Sequence, residues 1–483
     1  MPVASVEPRP PWLFLGFVAA ILAIRLVVAA NLHLSEDESY YRLWSMTPAF
    51  GYYDHPPMIA WWIAIGRALV GDTPLGVRLL PALASAATSF LVFDMARLVG
   101  ADWPIAERAG VWFNCMPLVT LGAFLAVPDA PASLFWCLTL WAILKASAEG
   151  RLGWWLLAGG AAGLATLSKY SALFLGPGTL LWLATSADRR GMLLKPGPWL
   201  ALLAAACLFG LNLQWNATHH WLTFQKQFGR VAPHSWSWRY LPEFIGAQVV
   251  LLNPALALFL ARWRRGGQMA WFFGATSLPF AAYLVIHSLH DRVQAHWAAP
   301  IYPAAAILAA LASARWETRL WLQARIAVPA IAGCTVCALG VLLVLPPSTF
   351  AGSGDLFQPL RGWRAFATSL NSKRATVGAA WIGTTSYGLA SELADESPSI
   401  PIVQISERNR WHGIENGRSP DLTQPGVVVD LTRRLDPARL RACFADIRFL
   451  GVLPRGEVRA RSTTYGVYRV AGPTGNLIRD GCR

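Results

Sequence analysis

Between Pro11 and Pro346 the chain is a succession of long apolar runs separated by short polar or basic connections. A membrane-crossing helix needs about 20 apolar residues, so this pattern predicts close to eleven of them. Their approximate bounds are 11–31, 76–99, 105–125, 129–147, 152–168, 171–186, 196–214, 242–261, 268–287, 297–314 and 325–345, with 152–186 open to reading as one hairpin or as two half-helices. The first run has no small-residue cleavage site behind a short core, which marks a retained span and not a removed signal peptide. After "VLPPSTFAGSGDLFQP" the pattern changes to short alternating segments punctuated by Gly, Pro and charge. "ATVGAAWIG", "SIPIVQIS", "QPGVVVDLT", "ADIRFLGVL" and "TTYGVYRV" read as strands, and "TSYGLASELAD" and "DPARLRACF" as helices. The expected architecture is an α-helical polytopic membrane domain over 1–349, including an outer loop over 32–75 with interfacial helices, followed by a small soluble α/β domain over 350–483. The first ten residues read as loosely ordered.

Composition agrees with this pattern. With 55% hydrophobic and 14% charged residues, the chain has too little polar surface to be an ordinary soluble enzyme. The net charge of +14 invites a nucleic-acid reading, but the basic residues concentrate in "KASAEGR", "ADRRGMLLK", "ARWRRGG" and "ARWETRLWLQAR". These are alternate connections, the ones the positive-inside rule assigns to the cytoplasm, so the charge reports orientation and not nucleic-acid binding. The loops 32–75, 215–241 and 287–297 then lie on the opposite side, and an odd helix count places everything after 346 there too. All nine histidines fall at or near that outer face. Of seven cysteines, Cys115, Cys137, Cys207, Cys334 and Cys337 lie in apolar runs as packing residues, and the CxxC of the last two suggests neither zinc nor redox chemistry. Cys443 and Cys482 lie in the outer domain, where an oxidising compartment lets them pair.

The outer side also collects the chemistry. "SEDESYYRLWSM" reads as a helix lying along the membrane surface, carrying Asp37 and Glu38 at its start. Arg42 stands four residues after Glu38, so a helix ion pair accounts for that glutamate, whereas Asp37 has no evident local partner. In "YDHPP", Asp54 is spaced to cap the following helix and His55 lies beside it. "AVPDAPASLFW" places Asp129 at the outer start of the fourth run, where a cap again accounts for one acid. "GLATLSKYSALFLGPG" places Lys169 between two runs, where snorkelling suffices to explain it. "WNATHHWLTFQKQFGR" supplies His219, His220, Lys226 and Arg230, and "HSLHDRVQAHWAAPIYP" supplies His287, His290, Asp291, Arg292 and His296. Each group has a structural explanation, but acids and bases supplied from five separate outer ends favour a site. A carboxylate there can take the proton of an attacking hydroxyl, while Arg, Lys and His neutralise a departing lipid phosphate. Grouped acids can also hold a divalent ion bridging to phosphate oxygens. A transporter would place such groups near the bilayer midplane and show repeated halves, and neither is visible here.

Taken in order from about 35 to 303, "DESYYRLW", "GYYDHPPMIAWW", "PDAPASLFW", "GLATLSKYSALFLGPG" and "HWAAPIYP" resemble glycosyltransferase family 39, the dolichyl-phosphate-mannose protein mannosyltransferase-like enzymes of the membrane GT-C class. The resemblance implies a polyprenyl-phosphate-linked sugar donor, a lipid or glycan acceptor, a site on the periplasmic face of a bacterial inner membrane, and inversion at the sugar carbon. It makes Asp37 the catalytic base, with Glu38 and Asp129 in the catalytic set, and Asp54 a ligand of a divalent metal or of the active site. His55, Lys169, Arg292 and His296 become candidates for binding the donor phosphate, with the choice between Arg292 and His296 open. Aminoarabinose transferases of lipid A carry Glu-Lys where this chain has Asp54-His55, which removes a permanent charge because histidine is mostly neutral at pH 7. "DHPP" with a short C-terminal domain is most similar to the branch containing galacturonic-acid transferases of lipopolysaccharide. Transfer to lipid A, lipopolysaccharide core or another envelope glycan is the expected function. The alternatives are protein O-glycosylation on the same fold, and a transporter or flippase.

Overall fold

The computed structural model describes residues 11–229, 236–314, 318–345, 357–411, 420–456 and 463–482. The expected domain boundary at 349/350, the first ten residues and Arg230 lie outside the described residues. The chain divides into two compact units that do not follow a single cut. Unit 1 comprises Met1–Ala29, Arg78–Thr218 and Gln227–Ala338, and unit 2 comprises Ala30–Val77, His219–Lys226 and Leu339–Arg483. The outer loop thus groups with the C-terminal segment and not with the apolar bundle.

Unit 1 is helical, and the protein is a polytopic membrane protein. Among the described residues seven helices are long and apolar enough to span a bilayer: Trp12–Asn31, Pro74–Leu98, Asp129–Glu149, Pro196–Thr218, Ala270–His287, Ala295–Ser313 and Arg319–Val344. An eighth candidate is the pair Tyr240–Leu251 and Pro254–Leu260, bent by 104°. Asn253 makes that bend: its φ is 80°, its side-chain amide donates to the carbonyls of Cys115 and Val328, and Pro254 restarts the helix. The remaining expected runs are helical but shorter or broken. Trp103–Asn114 stops at Cys115 and Pro117–Gly122 follows, while 152–186 resolves into Leu152–Thr166 and, after a turn at Leu167 and Ser168 and an extended Lys169, Tyr170–Phe174 continuing as Leu175–Ala184.

Close helix approach in this unit relies on small residues, because lipid tails supply no hydrophobic drive between helices. A Cβ placed on Gly159 would lie 2.2 Å from the Ala201 carbonyl oxygen, and one on Gly163 would lie 2.7 Å from Leu208 Cβ. The helix Leu152–Thr166 therefore packs against Pro196–Thr218 along a glycine-xxx-glycine stripe. A charge inside an apolar span must find polar partners. Arg25 does so, donating to Ser85 Oγ and Asn114 Oδ1 at 3.0 Å each and to the Val119 carbonyl.

Unit 2 combines the outer loop with a five-stranded sheet. Its strands are β1 (Trp381–Thr384), β2 (Ile402–Gln404), β3 (Gly426–Leu431), β4 (Phe444–Arg455) and β5 (Thr463–Pro473), in the order β2-β1-β3-β5-β4. β1 runs parallel to both β2 and β3, whereas β5 is antiparallel to β3 and β4. All five segments read as strands from sequence contain one, although "ATVGAAWIG" contributes only its end. One face is covered by Trp363, Phe366, Ala367 and Leu370 together with Leu389 and Leu393. The opposite face carries Leu440, Cys443 and Phe444, with Cys443 bonded to Cys482 across a separation of 39 residues.

In the outer loop the expected surface helix is Glu36–Trp44. Ser35 caps it: the Glu38 amide donates to Ser35 Oγ, and the Glu38 carboxylate accepts from the Ser35 amide at 3.0 Å. This reciprocal cap corrects the ion-pair account of Glu38, since Arg42 is engaged by Asp72 and Asp395. Tyr40, Tyr41, Leu43 and Trp44 are buried on the inner side of the helix.

Candidate functional site

The expected site residues fall into two clusters, one in each unit. In unit 1, Asp129 is the first residue of the helix Asp129–Glu149 and makes no side-chain cap, because Pro128 occupies the cap position. Its carboxylate instead accepts from Lys169 Nζ at 2.7 Å, and His296 Nε2 lies 3.8 Å from its other oxygen. Asp129 and Lys169 are only 11% and 13% exposed at the side chain. The pairing corrects both the cap account of Asp129 and the snorkelling account of Lys169. Lys169 reaches this position from the break between two helices, where its backbone is extended. Arg292 goes elsewhere: it is exposed and its Nε donates to Glu243 Oε1 at 2.6 Å. Of the two candidates left open by sequence, His296 is the one beside Asp129.

In unit 2, Asp37 is exposed on the first turn of its helix and accepts a hydrogen bond from the Tyr387 hydroxyl at 2.9 Å. Burial, then the adjacent Asp37 charge, raises the Tyr387 phenol well above its ordinary range, which keeps it a donor. Asp54 does not cap the helix Met58–Val70, where Pro57 holds the cap position. It accepts from Arg410 Nη1 at 2.9 Å and from the Tyr40 hydroxyl, which also donates to the Arg410 carbonyl. The Arg410 guanidinium lies 4.1 Å from the Tyr387 ring centroid, so one arginine ties Asp54 to the tyrosine that holds Asp37. Glu407 completes the link: its carboxylate accepts from the Tyr387 amide and lies 3.4 Å from Arg410 Nε.

The basic loop joins this cluster. Thr223 Oγ1 donates to the Tyr52 carbonyl, and Lys226 Nζ stands 5.6 Å from the Tyr53 ring, which Arg410 also approaches. His220 and Trp221, at φ 55° and 56°, turn the backbone just before it. His55 lies beside Tyr41, with ring centroids 6.2 Å apart. Tyr387, Arg410 and Tyr40 were not identified from sequence. Only Tyr387 had a readable signal, since it follows the carboxyl end of a predicted strand at the start of a predicted helix, the usual position of ligand-facing groups in parallel sheets.

The residues fit a metal site poorly. Among the described residues no three His, Cys, Asp or Glu side chains gather to hold an ion, and Asp54 faces a guanidinium.

Residues 54–215 match the model of the dolichyl-phosphate-mannose-protein mannosyltransferase family. The match takes in Asp54, His55, Asp129 and Lys169 and begins after Asp37. The chain is 28% identical over 309 residues to the lipid A galacturonosyltransferase RgtD of Rhizobium johnstonii, covering 59% of this chain and 62% of that one. It is also 28% identical over 254 residues to an undecaprenyl phosphate-alpha-4-amino-4-deoxy-L-arabinose arabinosyl transferase of Pseudomonas fluorescens, covering 48% and 44%. The chain thus aligns with less than two thirds of the length of either relative. The crystal structure of ArnT from Cupriavidus metallidurans bound to undecaprenyl phosphate superposes with a TM-score of 0.65 at 16% identity, covering 96% of this chain and all of that one. The fold is therefore that of ArnT, and residues 54–215 are similar to the mannosyltransferase family that the motifs resemble.

Proposed function

We propose that the chain is an inverting glycosyltransferase that moves a sugar from a polyprenyl-phosphate donor to lipid A or another envelope glycan, at the periplasmic face of the inner membrane. The observation that carries this reading is Asp37: an exposed carboxylate at a membrane-surface helix, held by the phenol of the half-buried Tyr387. In the reaction, the acceptor hydroxyl gives its proton to Asp37 and its oxygen attacks the anomeric carbon from the side opposite the phosphate. The bond between that carbon and the phosphate oxygen breaks, and the polyprenyl phosphate departs with the electron pair. Tyr387 orients the carboxylate without taking its proton. Arg410 neutralises Asp54, leaving Asp37 as the acid free to act as base. Glu38 serves as a helix cap, which makes it a positioning residue. In unit 1, Lys169 beside Asp129 carries the permanent charge suited to a phosphate and His296 adds a hydrogen-bonding ring; a fixed cation that is little exposed stabilises a leaving anion better than a solvated one does. The exposed Arg292 contributes less. No step is drawn through a divalent ion, given the setting of Asp54.

The periplasmic assignment is supported by the loop charge bias and by the Cys443–Cys482 bond, a linkage that persists in oxidising compartments. Relatives that act on lipid A favour it as acceptor over exported protein. The test is mass spectrometry of envelope lipids and glycoproteins from cells with and without the gene, complemented by wild type or Asp37→Asn. A sugar-sized mass on lipid that appears only with wild type is expected. Loss of the modification from protein alone would select the O-glycosylation reading.

A further inference from the structure

The parallel strands β2, β1 and β3 end at one edge of the sheet. The chain leaves β1 toward β2 on one side, while β3 pairs on the other, so β1 and β3 flank a topological switch point. In open parallel sheets such a crevice, just beyond the carboxyl ends, is where ligands settle. Here it is a cavity of about 550 Å³, a size typical of small-molecule sites. The segments after all three strands line it: Thr385, Ser386 and Tyr387 after β1, Ser406 and Glu407 after β2, and Arg434, Asp436 and Arg439 with two leucines after β3.

The edge is built, not incidental. Buried Asp430 accepts from the Thr385 amide and from the hydroxyls of Thr384 and Thr385, fixing the turn after β1. Gln404 accepts from the Ser406 amide and donates to the Thr385 carbonyl, joining the first two turns. The two acids of the cavity already serve the protein: Glu407 accepts from the Tyr387 amide, and Asp436 caps the helix Pro437–Cys443. The two arginines are exposed, and among the described residues neither Arg434 nor Arg439 is in an ion pair. Arg434 lies 3.4 Å from Ser386 Oγ, and Ser406 Oγ is buried without a partner among the described residues. What the cavity offers a ligand is therefore two guanidinium groups and several hydroxyls.

We propose that this cavity binds an acidic sugar, one bearing a phosphate ester or a carboxylate, and that it is the subsite for the acceptor glycan. Guanidinium pairs suit planar or tetrahedral oxyanions, and the serine and threonine hydroxyls suit sugar hydroxyls. Tyr387 connects the cavity to the reaction, since the same residue lines it and donates to Asp37. Calling the ligand the acceptor rests on the transferase reading. The existence of the binding site does not.

The experiment is hydrogen–deuterium exchange on the full chain in detergent, with glucose 1-phosphate, glucuronate or neutral glucose as probes. Slower exchange is expected over 384–388 and 431–440 with one or both acidic sugars and not with glucose, and the arm that responds identifies the oxyanion. Arg434→Gln with Arg439→Gln should raise the apparent Kd about tenfold or more while leaving the probe-free exchange profile as in wild type. The single Arg439→Gln variant gives an intermediate value, and keeps the test informative if the double variant loses the native profile. Equal protection by glucose, protection by no probe, or unchanged affinity in the variants would overturn the site. Wild type that binds the probes yet transfers no sugar would sink the transferase reading alone, and sugar transfer without probe binding would sink the cavity alone.

Discussion

The two acid clusters are built on different plans. In unit 1, Asp129 and Lys169 stand 40 residues apart in sequence, and both sit at helix ends that the apolar pattern marks. In unit 2, Asp37 and Asp54 find their partners 350 and 356 residues away, on the α/β segment. The first cluster is a closed pair within the helical bundle. The second depends on the α/β segment, whose Tyr387 and Arg410 hold the two acids of the outer loop, so in the proposed reaction the C-terminal segment positions the base.

The largest effect separating the two plans is on rate. Asp37→Asn keeps the shape and removes the proposed base, so transfer should fall by about 10²–10⁴ while polyprenyl phosphate still binds. Full turnover by a folded Asn variant would remove Asp37 from the mechanism. Tyr387→Phe should cost less, because it loosens the carboxylate without removing it, and it should move the pH profile of kcat/KM; a profile identical to wild type would make the tyrosine merely structural.

Next comes the closed pair. Lys169→Ala removes the cation nearest a nearly buried carboxylate, which costs up to about 3 kcal/mol of stability, read as a lower unfolding midpoint. Lys169→Met with Asp129→Leu should restore much of that stability, because a buried pair can be replaced by apolar groups of similar volume. Transfer should remain lost in the double variant if the pair serves the phosphate. Recovery of both stability and transfer would show the pair to be structural.

The contrast also explains what the sequence could show. Helix positions followed from apolar length, and the five strands from alternation, since both periodicities are local. The helix Trp363–Thr376 is not among the elements expected from sequence, although Trp363, Phe366, Ala367 and Leu370 carry the three-and-four spacing of a buried stripe. Asp37, Asp54, Asp129 and Lys169 stood out because charge beside apolar runs demands a reason. The partners of Asp37 and Asp54 did not, because nothing local distinguishes Arg410 from Arg408, and the place of Tyr387 after a strand does not by itself name Asp37 as its partner. Capping by Asp54 and Asp129 was the economical local reading in both cases, and in both cases a tertiary partner prevailed. Both carboxylates are buried, and leaving a buried carboxylate without its cation costs about 3–5 kcal/mol, more than the about 1 kcal/mol that a cap is worth.

A smaller effect tests whether the α/β segment holds its shape alone. Replacing Cys443 and Cys482 by Ser should cost about 2–4 kcal/mol in that segment, given the 39-residue separation. The signature is a lower unfolding transition for unit 2 with the unit 1 transition unmoved. A single transition shifted as a whole would show that the two units unfold together.

The smallest effect concerns pH and a third pair that ties the outer loop to the same segment. His33 Nε2 lies 2.8 Å from Glu392 Oε2, and Glu396 stands 3.8 Å from the other ring nitrogen. Burial pushes the Glu392 carboxyl up from 4.5 to about 7, against the opposing pull of His33. Burial lowers His33, but its hydrogen bond to Glu392 and the charges of Glu392, Glu396 and Asp395 more than reverse that, leaving it raised above 6.5. Both groups therefore bind protons more tightly folded than unfolded, so their stabilisation is complete at low pH. The Glu392 share is lost as pH rises from below 4.5 through about 7, and the His33 share as pH rises through its raised value. Arg42 beside Asp395 does not titrate in this window and leaves the direction unchanged. The unfolding midpoint of unit 2 should thus fall between about pH 5 and pH 8, by the equivalent of about 1–2 kcal/mol. Glu392→Gln, which stays neutral throughout, should flatten most of this slope. A midpoint that rises with pH in wild type, or a slope unchanged in the Gln variant, would show that this pair does not control how the outer loop is held.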